Sequence, residues 1–197
     1  MTALELDPTA WPPAPISTER LVLRESEARD RAAFIELFAS SEVRTFLGGP
    51  RPRGELERTV PGVPGRRPGL FVIDLGGAMI GAVTLDRRNA DRPGHIRQDG
   101  EEAELSYTFL PESWGRGYAA EACAAALDWF AGAFPGEPVV LCTQTANIRS
   151  MRLAAKLGFT EVERFEEFDA EQWFGVWSVT PAGSARAGTT WTSRKWR

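Results

Sequence analysis

Residues 20–26, RLVLRES, alternate apolar and polar positions in the manner of a half-buried strand. Asp30 to Ser41 then sets Ala33, Phe34, Leu37 and Phe38 at helical spacing. The stretch from Gly48 to Gly69 is crowded with glycine, proline and arginine, which predicts loop around one short helix near Glu55 to Thr59. LFVIDL and MIGAVTL are apolar, β-branched runs separated by GGA, whose two glycines suit a tight antiparallel hairpin. Asp86 to Glu102 is a polar connection long enough to be either mobile or functional. AELSYTFL follows as a strand, stopped at Pro111, which has no amide to donate. From Ala119 an alanine-rich helix carries Cys123, Leu127, Phe130 and Phe134 on one face. PVVLCTQT, NIRSMRLAAKLGF, and the pair EVERFEEF and WFGVWSVT complete the pattern as strand, helix and two strands. The order is β-α-(α)-β-β-β-α-β-α-β-β, a mixed sheet in which only the middle βαβαβ portion needs parallel crossovers.

Composition narrows the class. A chain of 197 residues, 43% hydrophobic and 25% charged, fits one globular domain with a real core. The pattern divides it into an irregular arm at 1–15, a domain at 16–180 and a tail at 181–197. Trp191 and Trp196 are costly to leave wet, so the tail is expected to dock on the body or on a second subunit, which makes a homodimer plausible. With 23 basic and 27 acidic residues the net charge is −4, and no global basic field exists to gather nucleic acid or anionic lipid. No apolar run approaches the roughly 20 residues that span a bilayer. The start, broken by Asp7, Pro8, Pro12, Pro13 and Pro15, does not resemble a secretory signal. Two cysteines suit a reducing compartment, and a cytoplasmic, unprocessed protein is the expectation. His95, Cys123 and Cys142 are the only soft ligand candidates and have no repeated close spacing, so no metal is expected. One histidine and no G-x-S-x-G elbow leave a triad hydrolase without support.

The segment richest in chemistry is ELSYTFLPESWGRGYAAEA. A strand ends, and Gly115 and Gly117 allow the chain to bend with its amides pointing one way into a helix start. The positive end of the helix dipole adds to those donors, Arg116 adds charge, and Ala119 leaves room for a phosphate. By itself a G-x-G before a helix also serves as a plain connection. No G-K-[ST] follows, which excludes a P-loop, and Ala120 stands where a dinucleotide fingerprint needs its last glycine.

PESWGRGYAAEA, followed after a strand by NIRSMRLAAKLGF, resembles the GCN5-related N-acetyltransferases (GNAT), especially the RimJ/RimL-type branch that acetylates ribosomal-protein N-termini and related amines. The resemblance spans Ile16 to Thr180, apart from the loop Asp86 to Glu102. It implies an α+β acyl-CoA N-acyltransferase fold with a largely antiparallel sheet splayed at the cofactor strand. It also implies acetyl-CoA as co-substrate and an amine acceptor as partner. By resemblance, the amides of Gly115, Arg116, Gly117, Tyr118, Ala119 and Ala120 hold the pyrophosphate. Pantetheine pairs with the backbone of Phe109 and Leu110, and Asn147 binds the pantetheine arm. The glutamine or arginine that the family sets three residues before the motif glycine is Trp114 here. Plainer roles stand beside these: Asn147 is a good N-cap, Ser150 can help satisfy that helix start, and Trp114 and Tyr118 can be packing residues.

Acetyl transfer from thioester to amine needs an uncharged nucleophile, stabilisation of the oxyanion, and an outlet for the thiolate. A lysine-like amine of pKa about 10.4 must give up roughly 4 kcal/mol near pH 7.5, an α-amine near 8 far less. Glu104 shares a strand face with Ser106 and Thr108 and leads into the bend, which makes it the candidate base, directly or through water. The alternative is an exposed glutamate beside Glu101 and Glu102. The tyrosine acid of many family members falls on Ala154, so Ser150 is the candidate replacement. The Leu110 amide is the candidate to polarise the thioester carbonyl, since Pro111 has none. His95 reads as a solvated loop residue without a catalytic role. The leading function is an acetyl-CoA-dependent N-acetyltransferase acting on a protein N-terminus, a small amine or an aminoglycoside-like compound. A non-catalytic acyl-CoA-binding or regulatory module is the rival, and a nucleotide-binding α/β protein the third reading.

Overall fold

A computed structural model describes residue 11 and residues 14–98 and 100–178. Most of the arm, and the tail with Trp191 and Trp196, lie outside the described residues. Trp11 is not loose: its ring meets Phe71 edge-on at 4.8 Å and Trp129 at 5.9 Å.

Strands β1 (Ile16–Ser17) and β2 (Val22–Arg24) precede helix α1 (Arg31–Ala39) and the short α2 (Arg53–Thr59). Then come β3 (Leu70–Leu75), β4 (Ala78–Arg87), β5 (Ala103–Phe109), α3 (Tyr118–Ala133), β6 (Val139–Gln144), α4 (Ile148–Leu157), β7 (Thr160–Glu167) and β8 (Ala170–Trp177). The eight strands form one sheet in the order β1-β2-β3-β4-β5-β6-β8-β7. The fold is therefore a mixed, largely antiparallel α+β sheet, as the pattern predicts.

The expected βαβαβ portion is present, with β5, β6 and β7 running the same way, but only β5 and β6 are neighbours in the sheet. The second crossover carries β7 out to the edge, and β8 returns between β7 and β6, antiparallel to both. The cause lies in the hairpin: a two-residue turn at Phe168 and Asp169 pairs β8 with β7, leaving the other edge of β8 for β6. At the β3–β4 turn Gly76 and Gly77 adopt φ of 62° and 93°, the left-handed pair that a two-residue hairpin requires. Phe168 adopts a comparable φ of 57° without being glycine and is 76% exposed.

Strand alternation distributes the core over two faces. On one, Phe71, Ile73, Val83, Leu85, Leu105 and Phe109 meet Cys123, Leu127 and Phe130 of α3 and Ala154 of α4. On the other, Leu70, Val72, Met79 and Ala82 meet Phe34 and Leu37 of α1. Full burial of each such side chain contributes about 1.5–3 kcal/mol. Arg24 crosses this second layer, donating to Asp30 at 2.8 and 2.9 Å and to Asp74 at 2.9 Å. All three are buried, so each needs the others.

The described residues of the long connection after β4 are tied to the body by buried polar contacts. Arg88, fully buried, donates to the carbonyls of Gly94 and Pro93 at 2.8 and 2.5 Å and lies over the Phe174 ring. Arg92 reaches Glu167 of β7 at 2.7 Å. A side chain at Gly94 would overlap Phe165, so glycine is what allows this close approach. Glu102, also fully buried, accepts the amides of Ile96 and Arg97 at 2.6 Å, and its Oε2 lies 2.9 Å from His95 Nδ1. His95 is therefore a tethered residue, contrary to the solvated-loop expectation. The sequence lists these charges as surface-like, but each finds its partner only across the fold.

Two outcomes follow. Asp30→Asn removes one acceptor charge from a buried arginine and should lower unfolding free energy in urea by about 3–5 kcal/mol. An unchanged urea midpoint would show that Arg24 does not depend on it. Burial alone would raise the Glu102 carboxyl, but the His95 contact and the loop amides outweigh it and hold the group below the usual carboxylate range. A group lowered on folding stabilises above its unfolded value, near 4.5, and loses that contribution as pH falls through the folded value. Glu102→Gln should thus lower Tm at pH 7 and approach the parent as pH falls well below the unfolded carboxylate value, as scanning calorimetry across pH will show.

Candidate functional site

The site grows from a break in the sheet. β5 and β6 pair only at Ala103 with Val139 and Glu104 with Val140, after which both strands continue without facing each other. On its other side β5 stays bonded to β4 along its whole length. The Leu110 amide donates to the Ile80 carbonyl at 2.9 Å, which fixes the alternation of main-chain groups. Even-numbered residues of β5 turn their amides and carbonyls toward β4, while those of Tyr107 and Phe109 turn toward the parted side. The Leu110 amide is thus engaged by Ile80 and is not the free donor that the sequence reading expects at a thioester carbonyl. Phe109 is at the open edge, but its carbonyl accepts the Trp114 indole N–H at 2.8 Å. The open strand groups are the amide of Phe109 and both main-chain groups of Tyr107.

Past the strand, Pro111–Ser113 makes one 3-10 turn and the chain bends at two left-handed glycines, Gly115 (φ 74°) and Gly117 (φ 82°). Gly117 caps α3 and its carbonyl accepts the Glu121 amide at 3.1 Å. None of the amides of Gly115, Arg116, Gly117, Tyr118, Ala119 and Ala120 donates to another group among the described residues. Gly115, Arg116 and Gly117 are exposed, and Tyr118, Ala119 and Ala120 half-buried. No heavy atom stands within 4 Å of where a Gly115 side chain would begin. Open donors, a helix dipole and free space coincide there, the physical requirements for holding an anion.

Glu121 in the first turn of α3 would repel an anion were it left bare. Its Oε1 accepts the Thr18 hydroxyl at 2.6 Å and the Arg20 amide at 2.9 Å, and its Oε2 takes Arg20 Nε at 2.7 Å. Burial pushes this carboxyl up, but those bonds prevail and hold it below the usual range. Arg20 also donates to the Arg116 carbonyl at 3.0 Å and stacks on Tyr118 at 4.7 Å, bracing the bend from behind. Trp114 is a packing residue, with the exposed Arg149 guanidinium 4.7 Å above its ring. Thr18, Arg20 and Arg149 were not singled out by sequence reasoning, since only the fold brings them to the bend.

Asn147 caps α4, its Oδ1 accepting the Ser150 amide at 3.2 Å, the plainer of its two readings. Ser150 Oγ lies 2.7 Å from Tyr107 Oη, a bond that joins α4 to β5 beside the open edge. Tyr107 escaped the sequence reading, although its odd position in β5 places it on the face opposite Glu104. Burial pushes its phenol up. Ala154, one turn further along α4, is fully buried.

Glu104 stands at the last parallel pair, where the fork opens. It is not the exposed strand glutamate of the alternative reading. Oε1 accepts Arg88 Nη1 at 2.7 Å, while Oε2 has Arg92 Nη1 no nearer than 3.6 Å and so keeps a lone pair open. The structure therefore brings Glu104, Tyr107 and Phe109 along one strand, the bend at its end, and Asn147 and Ser150 across the gap.

The fold has counterparts among known proteins. The family model described as an Acetyltransferase (GNAT) domain matches residues 20–160. An acetyltransferase from Agrobacterium tumefaciens superimposes with a TM-score of 0.64 at 25% identity, covering 85% of this chain and 95% of the other. A spermidine N-acetyltransferase from Vibrio cholerae, in complex with CoA and spermine, gives 0.63 at 20% identity over 82% and 96% of the two chains. RimL, a ribosomal L7/L12 alpha-N-protein acetyltransferase, gives 0.64 at 14% identity over 84% and 94%.

Proposed function

The chain belongs to the GNAT acetyltransferase family, and from that premise we propose that it transfers an acetyl group from acetyl-CoA to a primary amine by direct attack in a ternary complex. The observation that carries the reading is the run of unpaired amides from Gly115 to Ala120 at the end of a strand whose far edge is open. The bend fits a pyrophosphate, with Arg116 and the exposed Arg149 adding positive charge. Pantetheine, which carries its own amides, pairs with Tyr107 and Phe109 as an added strand would. This revises the expected pairing with Phe109 and Leu110. The Asn147 side-chain oxygen serves its helix, so its part toward pantetheine falls to the remaining amide N–H groups.

The chain's own residues divide the chemistry between two faces of the fork. Glu104 receives the proton that the attacking amine must lose, through its open Oε2. Three residues of strand, about 10 Å, separate it from Tyr107, so a proton released near Ser150 travels through water. Ser150 stands on the thiolate side. An α-amine, with a pKa near 8, asks less of such a base than a lysine-like amine near 10.4. A protein N-terminus of the RimL type or a weakly basic small amine is accordingly the acceptor class we favour. Cys123 and Cys142 are unpaired, which suits the cytoplasm, and no helix of the described residues is long and apolar enough to cross a membrane.

Isothermal titration with CoA tests the bend. Gly117→Glu sets bulk and negative charge against the proposed pyrophosphate and should weaken binding at least about tenfold, ~1.4 kcal/mol. Its left-handed backbone will itself cost about 1–2 kcal/mol of stability, so folding is checked by circular dichroism. Unaltered affinity in the folded variant removes the bend from the site. Glu104→Gln, which keeps an acceptor for Arg88, should lower thiol release with an amine acceptor about a hundredfold while leaving CoA affinity within about twofold. Full activity across pH rejects Glu104 as the base.

A further inference from the structure

Among all the polar contacts of the described residues, the Tyr107–Ser150 bond alone joins β5 to α4 at the parted edge. Its 2.7 Å length is that of a well-formed hydroxyl pair, and no further side-chain partner of either hydroxyl is present among the described residues. Each hydroxyl can donate or accept, so one hydrogen of the two is left over. A phenol is far more acidic than an aliphatic alcohol and is the stronger donor of the pair. With the phenol donating, the Ser150 hydrogen must point elsewhere. The main chain of the same Tyr107 faces the open edge, so the vicinity of that edge is where the hydrogen is available. Ser150 itself is fixed by its amide bond to Asn147 Oδ1 at 3.2 Å.

Resting on the acetyl-CoA reading above, we propose that Tyr107 is a positioning residue which, by donating to Ser150 Oγ, directs and strengthens the Ser150 O–H as a hydrogen-bond donor to the departing sulfur. The amine lone pair forms the N–C bond to the acetyl carbon, the C–S bond breaks, and sulfur keeps that electron pair. The Ser150 O–H stabilises the resulting negative charge without surrendering its proton. The amine's proton leaves by way of water and Glu104, and the thiolate is protonated by solvent after release. Desolvation keeps Tyr107 in its neutral, donating form. A phenol is thereby supplied from the strand, on the opposite wall from the helix position where Ala154 offers only a methyl group.

The test needs no acceptor. CoA labelled with 13C on the methylene next to sulfur is bound to the full chain, and its NMR shift is followed across pH. In the parent protein the bound thiol should ionise about one pH unit lower than in Tyr107→Phe, a tenfold change in its ionisation constant. Ser150→Ala, which removes the donor itself, should shift the ionisation at least as far as Tyr107→Phe, and the double variant should add little to Ser150→Ala, since Tyr107 acts through that hydroxyl. CoA affinity, from calorimetry at a pH where the thiol is protonated, should stay within about threefold of the parent in all three, a result that a merely structural role for the pair would not combine with a shifted ionisation. If CoA binds and its thiol ionises at the same pH in parent and Tyr107→Phe, the proposal fails alone. If the parent does not bind CoA, the proposal falls together with the reading beneath it.

Discussion

Two residue pairs of parallel ladder, Ala103 with Val139 and Glu104 with Val140, are the whole strand pairing between the two halves of the sheet among the described residues. On one side β1 to β5 form an antiparallel ribbon, and on the other β6, β8 and β7 form a second. Each ribbon is paired within itself, and beyond the joint β5 and β6 share no ladder. The right-handed twist of each half then carries the strand ends apart. What remains is an exposed length of β5 with its main-chain groups unused, a condition that elsewhere on a sheet edge invites unwanted pairing. Because β5 and β6 run parallel, the glycine bend that follows β5 and the start of α4 that follows β6 flank the opening at the same end.

A joint this short needs bracing, and the two faces supply it differently. On one face α3 and α4 pack across both ribbons through apolar contacts such as those of Leu105, Leu141, Phe130 and Ala154. On the opposite face the loop after β4 reaches over the joint: Arg88 lies over Phe174 of β8, and Arg92 pairs with Glu167 of β7. Glu104 belongs to this strap, since Arg88 holds it at 2.7 Å. Glu104 is thus held by the same guanidinium that ties the ribbons together. The charge pattern at the bend follows a similar economy. In a chain of net charge −4, the Glu121 carboxylate in the first turn of α3 is enclosed between Thr18 and Arg20, while the amides from Gly115 to Ala120 are left without protein acceptors among the described residues.

Much of this was legible in the residues because it depends on local order. Gly115 and Gly117 announce the bend, since only glycine enters left-handed backbone without cost, and Pro111 announces the strand end. The apolar periods of α3 and of β3 to β5 fall where predicted, within a residue or two at their ends. What could not be read is pairing between distant segments. The place of β8 inside the sheet is decided by a competition between edges, and no period in the sequence encodes it. The ties of Arg88, Glu102 and His95 are likewise invisible in a run that looks solvated. The Leu110 amide illustrates the finer limit: the right strand was identified, but which of its residues face the opening depends on register with β4, fixed by the bond to Ile80.

The same alternation separates two polar side chains of β5. Along β5, Glu104 and Tyr107 differ by an odd number of residues, so their side chains must leave opposite faces of the sheet. One joins the polar strap of the loop, and the other joins the side of α3 and α4, where α4 meets it with a hydroxyl. A continuous sheet would keep two such groups isolated by the main chain between them. The fork removes that barrier, because beyond Glu104 nothing lies beside β5 to close the sheet. A ligand in the opening is therefore accessible from both faces at once, to a carboxylate on one and to a hydroxyl pair on the other. The parting of the two strands thus leaves side chains of both faces bordering one opening.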